Sequence, residues 1–221
     1  VVTRKRAPTV SPSLTRSTPL ISSHAMTPHP FDKKMLLILE YEKELAAQLS
    51  ALVIDKPKPP LWMIFIPIFF VFFAQKMSQY KKSRENFVEN HLKSRRIALE
   101  AAMEAEETGI PADVEAIVGK VGRIPAEARP SYAEWMTTLI DHYRLLLSAR
   151  GGSLPELVRS GYGSKTNYLL FCNCRNKAEN AFSLALLPAM EGDSQDLRHV
   201  IQKMNAGLTT LRRQSADSIF S

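Results

Sequence analysis

Apolar residues recur at helical spacing over most of the chain, and no segment alternates at the two-residue period of a half-buried strand. Over residues 32–54, Ile38, Tyr41, Leu45, Leu49 and Leu52 stand three or four apart. That spacing predicts an amphipathic helix with Asp32 as its cap. Its start, residues 35–39, is apolar on every side and is expected to be buried or to touch lipid. Glu40, Glu42, Lys43 and Glu44 read as a short solvated face. The run Asp55-Lys-Pro-Lys-Pro-Pro then stops the helix, because a residue before proline is pushed out of the helical region.

Helical grammar resumes further on. Residues 75–107 predict one long helix closed by Gly109 and Pro111, with Phe87, Val88, Leu92, Leu99, Ala102 and Met103 on a modest apolar face. Residues 111–121 predict a short helix with Val114, Ile117 and Val118 together, and Gly122, Pro125 and Pro130 punctuate a linker. Ser131 with Glu134 has the form of a capping box. The helix it would open carries Tyr132, Trp135, Met136, Leu139, Tyr143, Leu146 and Leu147 and ends at Gly151-Gly152. Ser153, Pro155 and Glu156 open a shorter helix. Ser164 caps the next, over residues 165–187, with Tyr168, Phe171, Cys172, Phe182 and Leu186 as its stripe and Arg175 and Glu179 at i,i+4. Asp193 and Asp196 begin the last helix. There Leu197, Val200, Ile201, Met204, Leu208 and Leu211 keep near-heptad spacing, which makes them the expected partner surface.

One stretch breaks the amphipathic rule. Residues 59–74 hold no charge and no hydrogen-bonding side chain except the Trp62 indole. Its membrane-inserting residues are read as Leu61, Trp62, Met63, Ile64, Phe65, Ile66, Pro67, Ile68, Phe69, Phe70, Val71, Phe72, Phe73 and Ala74. Lys56, Lys58, Lys76, Lys81, Lys82 and Arg84 flank it and are expected to face headgroups. Sixteen helical residues reach roughly 24 Å at 1.5 Å each, short of the roughly 30 Å hydrocarbon core. Pro67, at the midpoint, removes a helical hydrogen bond. A tilted or kinked single span and a re-entrant hairpin in one leaflet both fit, and the flanking lysines and the density of phenylalanine argue against a third placement, a buried helix of a soluble core. By the positive-inside rule residues 78–221 are cytoplasmic in either case.

Charge changes the picture by where it falls. The formal net charge is +7, but residues 1–30 carry Arg4, Lys5, Arg6 and Arg16 without an acid. The remainder is close to neutral, which argues against a nucleic-acid-binding body. Residues 1–30 are rich in Ser, Thr and Pro, lack an apolar period and read as disordered. The chain opens on Val, and the favoured reading is an upstream extension with translation starting at Met26 or Met35. No secretory h-region stands in this tail, and its prolines spoil the amphipathic helix of a transit peptide. The organisation read from the sequence is therefore a basic tail (1–30), an amphipathic helix (31–55), a membrane segment (56–77), a long juxtamembrane helix (78–108), a short helix with linker (109–130) and a helical bundle (131–221). The fold class is all-α.

Candidate chemistry is sparse. Gly163-Ser-Lys-Thr resembles the tail of a phosphate-binding loop but lacks its spacing and its preceding strand, so a helix cap is expected. Cys172 and Cys174 point about 200° apart on a helix and cannot share a tetrahedral site. They are expected in the core and half-exposed, respectively. Asp196 and His199 lack the Glu-x-x-His pairs of a carboxylate-bridged metal bundle. Asp141-His142 has no nucleophile elbow to serve. Tyr143, Tyr168, Arg175 and Glu179 lie within apolar stripes and need buried partners. No catalytic residue, metal or cofactor is expected. The sequence points to a membrane-attached helical scaffold, adaptor or anchor that meets an anionic bilayer and a protein partner or a second copy, and not nucleic acid. The alternative is a monotopic enzyme on a lipid or lipid-linked substrate.

Overall fold

A computed structural model describes residues 30–57, 68–121, 124–190 and 193–221, with the backbone alone for Pro30 and for residues 68–74. The basic tail and the first part of the apolar stretch, residues 58–67, lie outside the described residues. Among these, all regular structure is helical: α1 (Pro30–Val53), α2 (Ile68–Thr108), α3 (Val114–Lys120), α4 (Arg129–Ser148), α5 (Leu154–Tyr162), α6 (Lys165–Leu186) and α7 (Ser194–Ile219). Short 3-10 turns precede α4 and follow α6. No helix among the described residues is long and apolar enough to cross a membrane.

Helix α4 is the central element because its apolar positions wrap most of its circumference. Tyr132, Met136, Leu139, Ile140, Tyr143, Leu146 and Leu147 are all buried. Each fully buried leucine of this set contributes about 2 kcal/mol through lost apolar exposure. Helices α1, α2 and α6 pack around α4, and α7 closes the bundle against α1 and α6. The bundle is wider than residues 131–221, since Ile38 of α1 and Ala98, Leu99 and Ala102 of α2 belong to the same core. A second small cluster joins Leu45 and Leu49 of α1 to Leu208 and Leu211 of α7.

Several ends differ from expectation. Helix α4 opens at Arg129 with Pro130 in its first turn, and the Ser131 hydroxyl donates to the Ala128 carbonyl instead of forming a capping box. Proline needs no N–H partner there, so the helix starts three residues early, with Ala128 in place of Ser131 at the cap position. Asp32 lies inside the first turn of α1, which begins at Pro30. Helix α2 runs back to Ile68, so the last seven residues of the apolar stretch are helical and continuous with the bundle. Ser164 and Asp193 cap α6 and α7 as their residue types require. Gly163 takes φ +70° at the end of α5, a left-handed turn that suits glycine.

Candidate functional site: a buried charge network

Five charged side chains from four helices meet inside the bundle. Glu42 comes from α1, Arg95 from α2, Arg175 and Glu179 from α6, and Arg212 from α7; none is more than 7% exposed. The Glu42 carboxylate accepts from Arg95 Nε at 3.0 Å and from Arg175 Nη2 at 2.8 and 2.9 Å. Glu179 accepts from Arg95 Nη2 at 2.6 Å and from Arg212 Nη2 at 2.7 Å. Arg95 thus bridges both carboxylates. Its Nη1 also donates to the His91 carbonyl, and its guanidinium lies 5.5 Å from the Trp135 ring of α4. Arg212 Nη1 donates to Asn176 Oδ1, whose amide nitrogen donates to Thr209 Oγ1.

Burial alone would raise the Glu42 carboxyl, but the guanidinium groups of Arg175 and Arg95 outweigh it and hold it well below the usual range. Glu179 is lowered in the same way, with burial opposed by Arg95 and Arg212. Burial and the charge of Arg95 push His91 down to about 3, so it is neutral. Burial, and then the Glu42 carboxylate, raise the Tyr143 phenol, which stays protonated. With three arginines and two carboxylates the network holds one excess positive charge. Arg212 is lowered by burial and by the neighbouring Arg175. Buried Arg175 Nε and Arg212 Nε have no protein partner. Both lowered carboxyls are ionised at neutral pH. The network fixes α1, α2, α6 and α7 in one arrangement, since each bidentate or bridging contact requires its partners at one register.

The spacing of Arg175 and Glu179 predicts a pair along α6, yet the observed partners of both are on other helices. Glu42, expected in a solvated face, is 1% exposed. A signal for it exists: Ile38, Glu42, Leu45 and Leu49 follow the four-three-four spacing of the buried stripe. Arg95 likewise falls between Leu92 and Leu99. Both were hidden by charged neighbours along the chain.

A second polar cluster lies nearer α5. His142 Nδ1 and the Tyr162 hydroxyl are 2.7 Å apart, and the His142 ring stacks on Phe171 at 4.5 Å. Burial and the charge of Arg175 push His142 down to about 3. Cys172 is buried and its thiol is pushed up by burial, whereas Cys174 is exposed. Asp141, Asp196 and His199 stand on the surface. Among the described residues no three His, Cys, Asp or Glu side chains come close enough to hold a metal ion.

The expected partner stripe of α7 is largely spent within the bundle. Ile201, Leu208 and Leu211 are buried, Leu197 and Met204 half-buried, and only Val200 is exposed. Among the expected headgroup residues, Lys56, Lys76, Lys81 and Lys82 are exposed, and Lys58 lies outside the described residues. Arg84 serves the fold, with Nε donating to Ser50 Oγ and Nη2 to the Ala47 carbonyl, both at 2.9 Å, at the end of α1. Residues 61–67 of the inserting set lie outside the described residues, and residues 68–74 form the first turns of α2. The chain matches no family model, no curated protein and no solved structure.

Proposed function

We propose that the protein is a membrane-attached helical scaffold, adaptor or anchor, whose cytoplasmic body acts by binding protein or lipid surface. The observation that carries this reading is the uncharged stretch 59–74 set between basic flanks. Such a stretch is costly to leave in water and suits hydrocarbon, and the lysines on either side suit anionic headgroups. Helix α2 supports it, because the helix passes from a buried middle at Leu92–Leu99 to an exposed, lysine-bearing start at Lys76, Lys81 and Lys82.

Two grooves among the described residues offer surface to a partner, one of about 560 Å³ between α2 and α3 and one of about 490 Å³ between α1, α5 and α7. Each sets carboxylates beside apolar side chains, Glu100, Glu104 and Asp113 in the first and Glu40 and Glu44 in the second. The rigid network at the bundle centre suits a body that presents fixed surfaces. Carbonate extraction of membranes from expressing cells tests the reading. The full chain should stay in the pellet at alkaline pH, and recovery in the soluble fraction refutes membrane attachment.

A further inference from the structure

We infer that the groove between α1 and α7 is a docking site for a basic amphipathic helix of a partner protein. This rests on the adaptor reading above and names the chemistry of the partner; it does not depend on membrane attachment.

The groove follows from how the two helices meet. They run antiparallel: Lys203 Nζ donates to the Val53 carbonyl at 3.4 Å near one end, and the Tyr41 hydroxyl donates to Ser215 Oγ at 2.9 Å towards the other. Gly207 lets them close at the first end, since Leu49 Cδ1 lies only 2.9 Å from where a Cβ on this glycine would stand. Leu45 and Leu49 pack there on Leu208 and Leu211. Further along, α7 presents Ser215 and Ser218, whose side chains are too short to fill the space beside α1, and Leu154 and Pro155 of α5 complete the lining. The α1 wall extends from Leu37 to Gln48, roughly 16 Å or about three helical turns. A groove of that length between two helices suits a third, held by apolar anchors at i, i+3 or i+4, and i+7.

Charge selects which helix. Leu37, Tyr41, Leu45, Leu211 and Ile219 supply apolar surface to match such a stripe. Glu40 and Glu44, one turn apart and exposed, run along the α1 rim. The opposite rim carries Gln214 and Ser218, and none of the lining side chains is basic. Glu44 accepts only from the neutral Gln48 amide, at 3.3 Å. Lys43 lines the separate groove between α1 and α2, and the exposed Arg213 stands outside the lining. Asp217, beside the α7 rim, pairs with Lys165. A partner helix with Lys or Arg along one edge of its apolar stripe would set them against Glu40 and Glu44. The same carboxylates would repel an anionic lipid surface. A two-fold pairing of the groove with itself would set them against their own copies. The α2–α3 groove is less selective, because Lys120 joins its lining and Asp113 is engaged in capping α3.

The test selects from a phage-displayed library of short amphipathic helices, with the apolar stripe fixed and the flanking positions randomised, on the full chain in nonionic detergent micelles. Selected helices should carry Lys or Arg beside the stripe. Synthetic copies should lose affinity on the order of tenfold on Glu40→Lys/Glu44→Lys, and regain it when their own Lys and Arg are changed to Glu. Glu40→Gln/Glu44→Gln should act in the same direction with a smaller loss. Ser218→Trp, which fills the groove and leaves its charge alone, should weaken binding too. All three positions are exposed, so urea midpoints of the variants should stay close to that of the parent chain. Selected helices with neutral or acidic flanks, equal affinity for the charge-reversed variant, or indifference to Ser218→Trp overturns the inference. So does dimerisation of the chain that Ser218→Trp abolishes, which assigns the groove to a second copy. Carbonate extraction bears on none of these outcomes, so membrane attachment and this docking site fail separately.

Discussion

The middle of the bundle and its α1–α2 end are both rich in basic side chains, and they use them in opposite ways. In the middle, Arg95, Arg175 and Arg212 are withdrawn from water and held by two carboxylates. At the end, Lys76, Lys81 and Lys82 stand in solvent. Arg84 and Arg95 sit on the same helix, three turns apart, and mark the passage from one regime to the other. The same residue type caps a neighbouring helix at one level and fixes the register of four helices at the next. Charge withdrawn into an otherwise apolar interior departs from the usual distribution. The departure is explained if the buried charges specify a single arrangement of the helices.

The sharpest way to break this contrast is to remove one carboxylate from the middle. Glu42→Ala leaves Arg175 without its carboxylate partner and Arg95 with Glu179 alone, and should cost about 3–5 kcal/mol. Glu44→Ala, two residues away and exposed, should stay within about 0.5 kcal/mol. Urea denaturation of the two variants measures the difference, and equal losses would refute a special role for the network. Replacing Glu42, Arg95 and Arg175 together by Leu, Met and Met leaves the Glu179–Arg212 pair neutral overall. Buried ion pairs recoup little beyond their desolvation cost, so this triple variant should be more stable than Glu42→Ala. Its helices should hold one register less strictly, read as poorer dispersion in amide spectra.

At the end of the bundle the expected change is in affinity, and folding stability should barely move. Changing Lys76, Lys81 and Lys82 together to Gln should weaken partition onto phosphatidylserine-containing vesicles on the order of a hundredfold, from about 1 kcal/mol per basic residue near an anionic surface. Binding to neutral vesicles should be unaltered, and the loss should shrink as salt is raised. An equal loss on both vesicle types would show that the lysines act through the fold.

How far the sequence discloses each region follows from the physics that governs it. Helices α4, α6 and α7 are legible because apolar stripes at a period of 3.6 must face a core, and Tyr132, Leu139 and Leu147 do so. The partners of Arg175 and Glu179 are harder to read, since a carboxylate's burial depends on which guanidinium meets it across space. Glu42 carries the stripe spacing of Ile38 and Leu45, yet Glu40, Lys43 and Glu44 around it resemble a wet face. The inverse holds for α7: near-heptad spacing is visible, but that Leu208 and Leu211 pack on Leu45 and Leu49 is a tertiary fact. The expected i,i+4 pair on α6 fails for the same reason, because partners on α1, α2 and α7 lie closer than the neighbour one turn away.

The smallest effect concerns His142, and it distinguishes a buried neutral group from the fixed charges beside it. In the unfolded chain its imidazole titrates near 6.5, whereas in the fold burial and Arg175 hold it down to about 3. Between these values the unfolded state binds one more proton than the folded state, so stability falls as pH falls. The contribution is fully present above about pH 6.5 and shrinks by about 1.4 kcal/mol per pH unit below it. Glu42 and Glu179, lowered in the fold, add the same sign only below the usual carboxylate range near pH 4. The window from about pH 6.5 to 5.5 therefore reports chiefly histidines, since unfolded glutamates with a pKa of about 4.3 are still almost wholly ionised there. Denaturation midpoints across that window should slope less steeply in His142→Phe by about one proton's worth, even though the unpaired Tyr162 hydroxyl lowers the variant's stability at every pH. An unchanged slope would mean that His142 is protonated in the fold. The bundle interior would then hold a second positive charge in excess of Glu42 and Glu179, beside Arg175, and burial would have failed to keep the imidazole neutral.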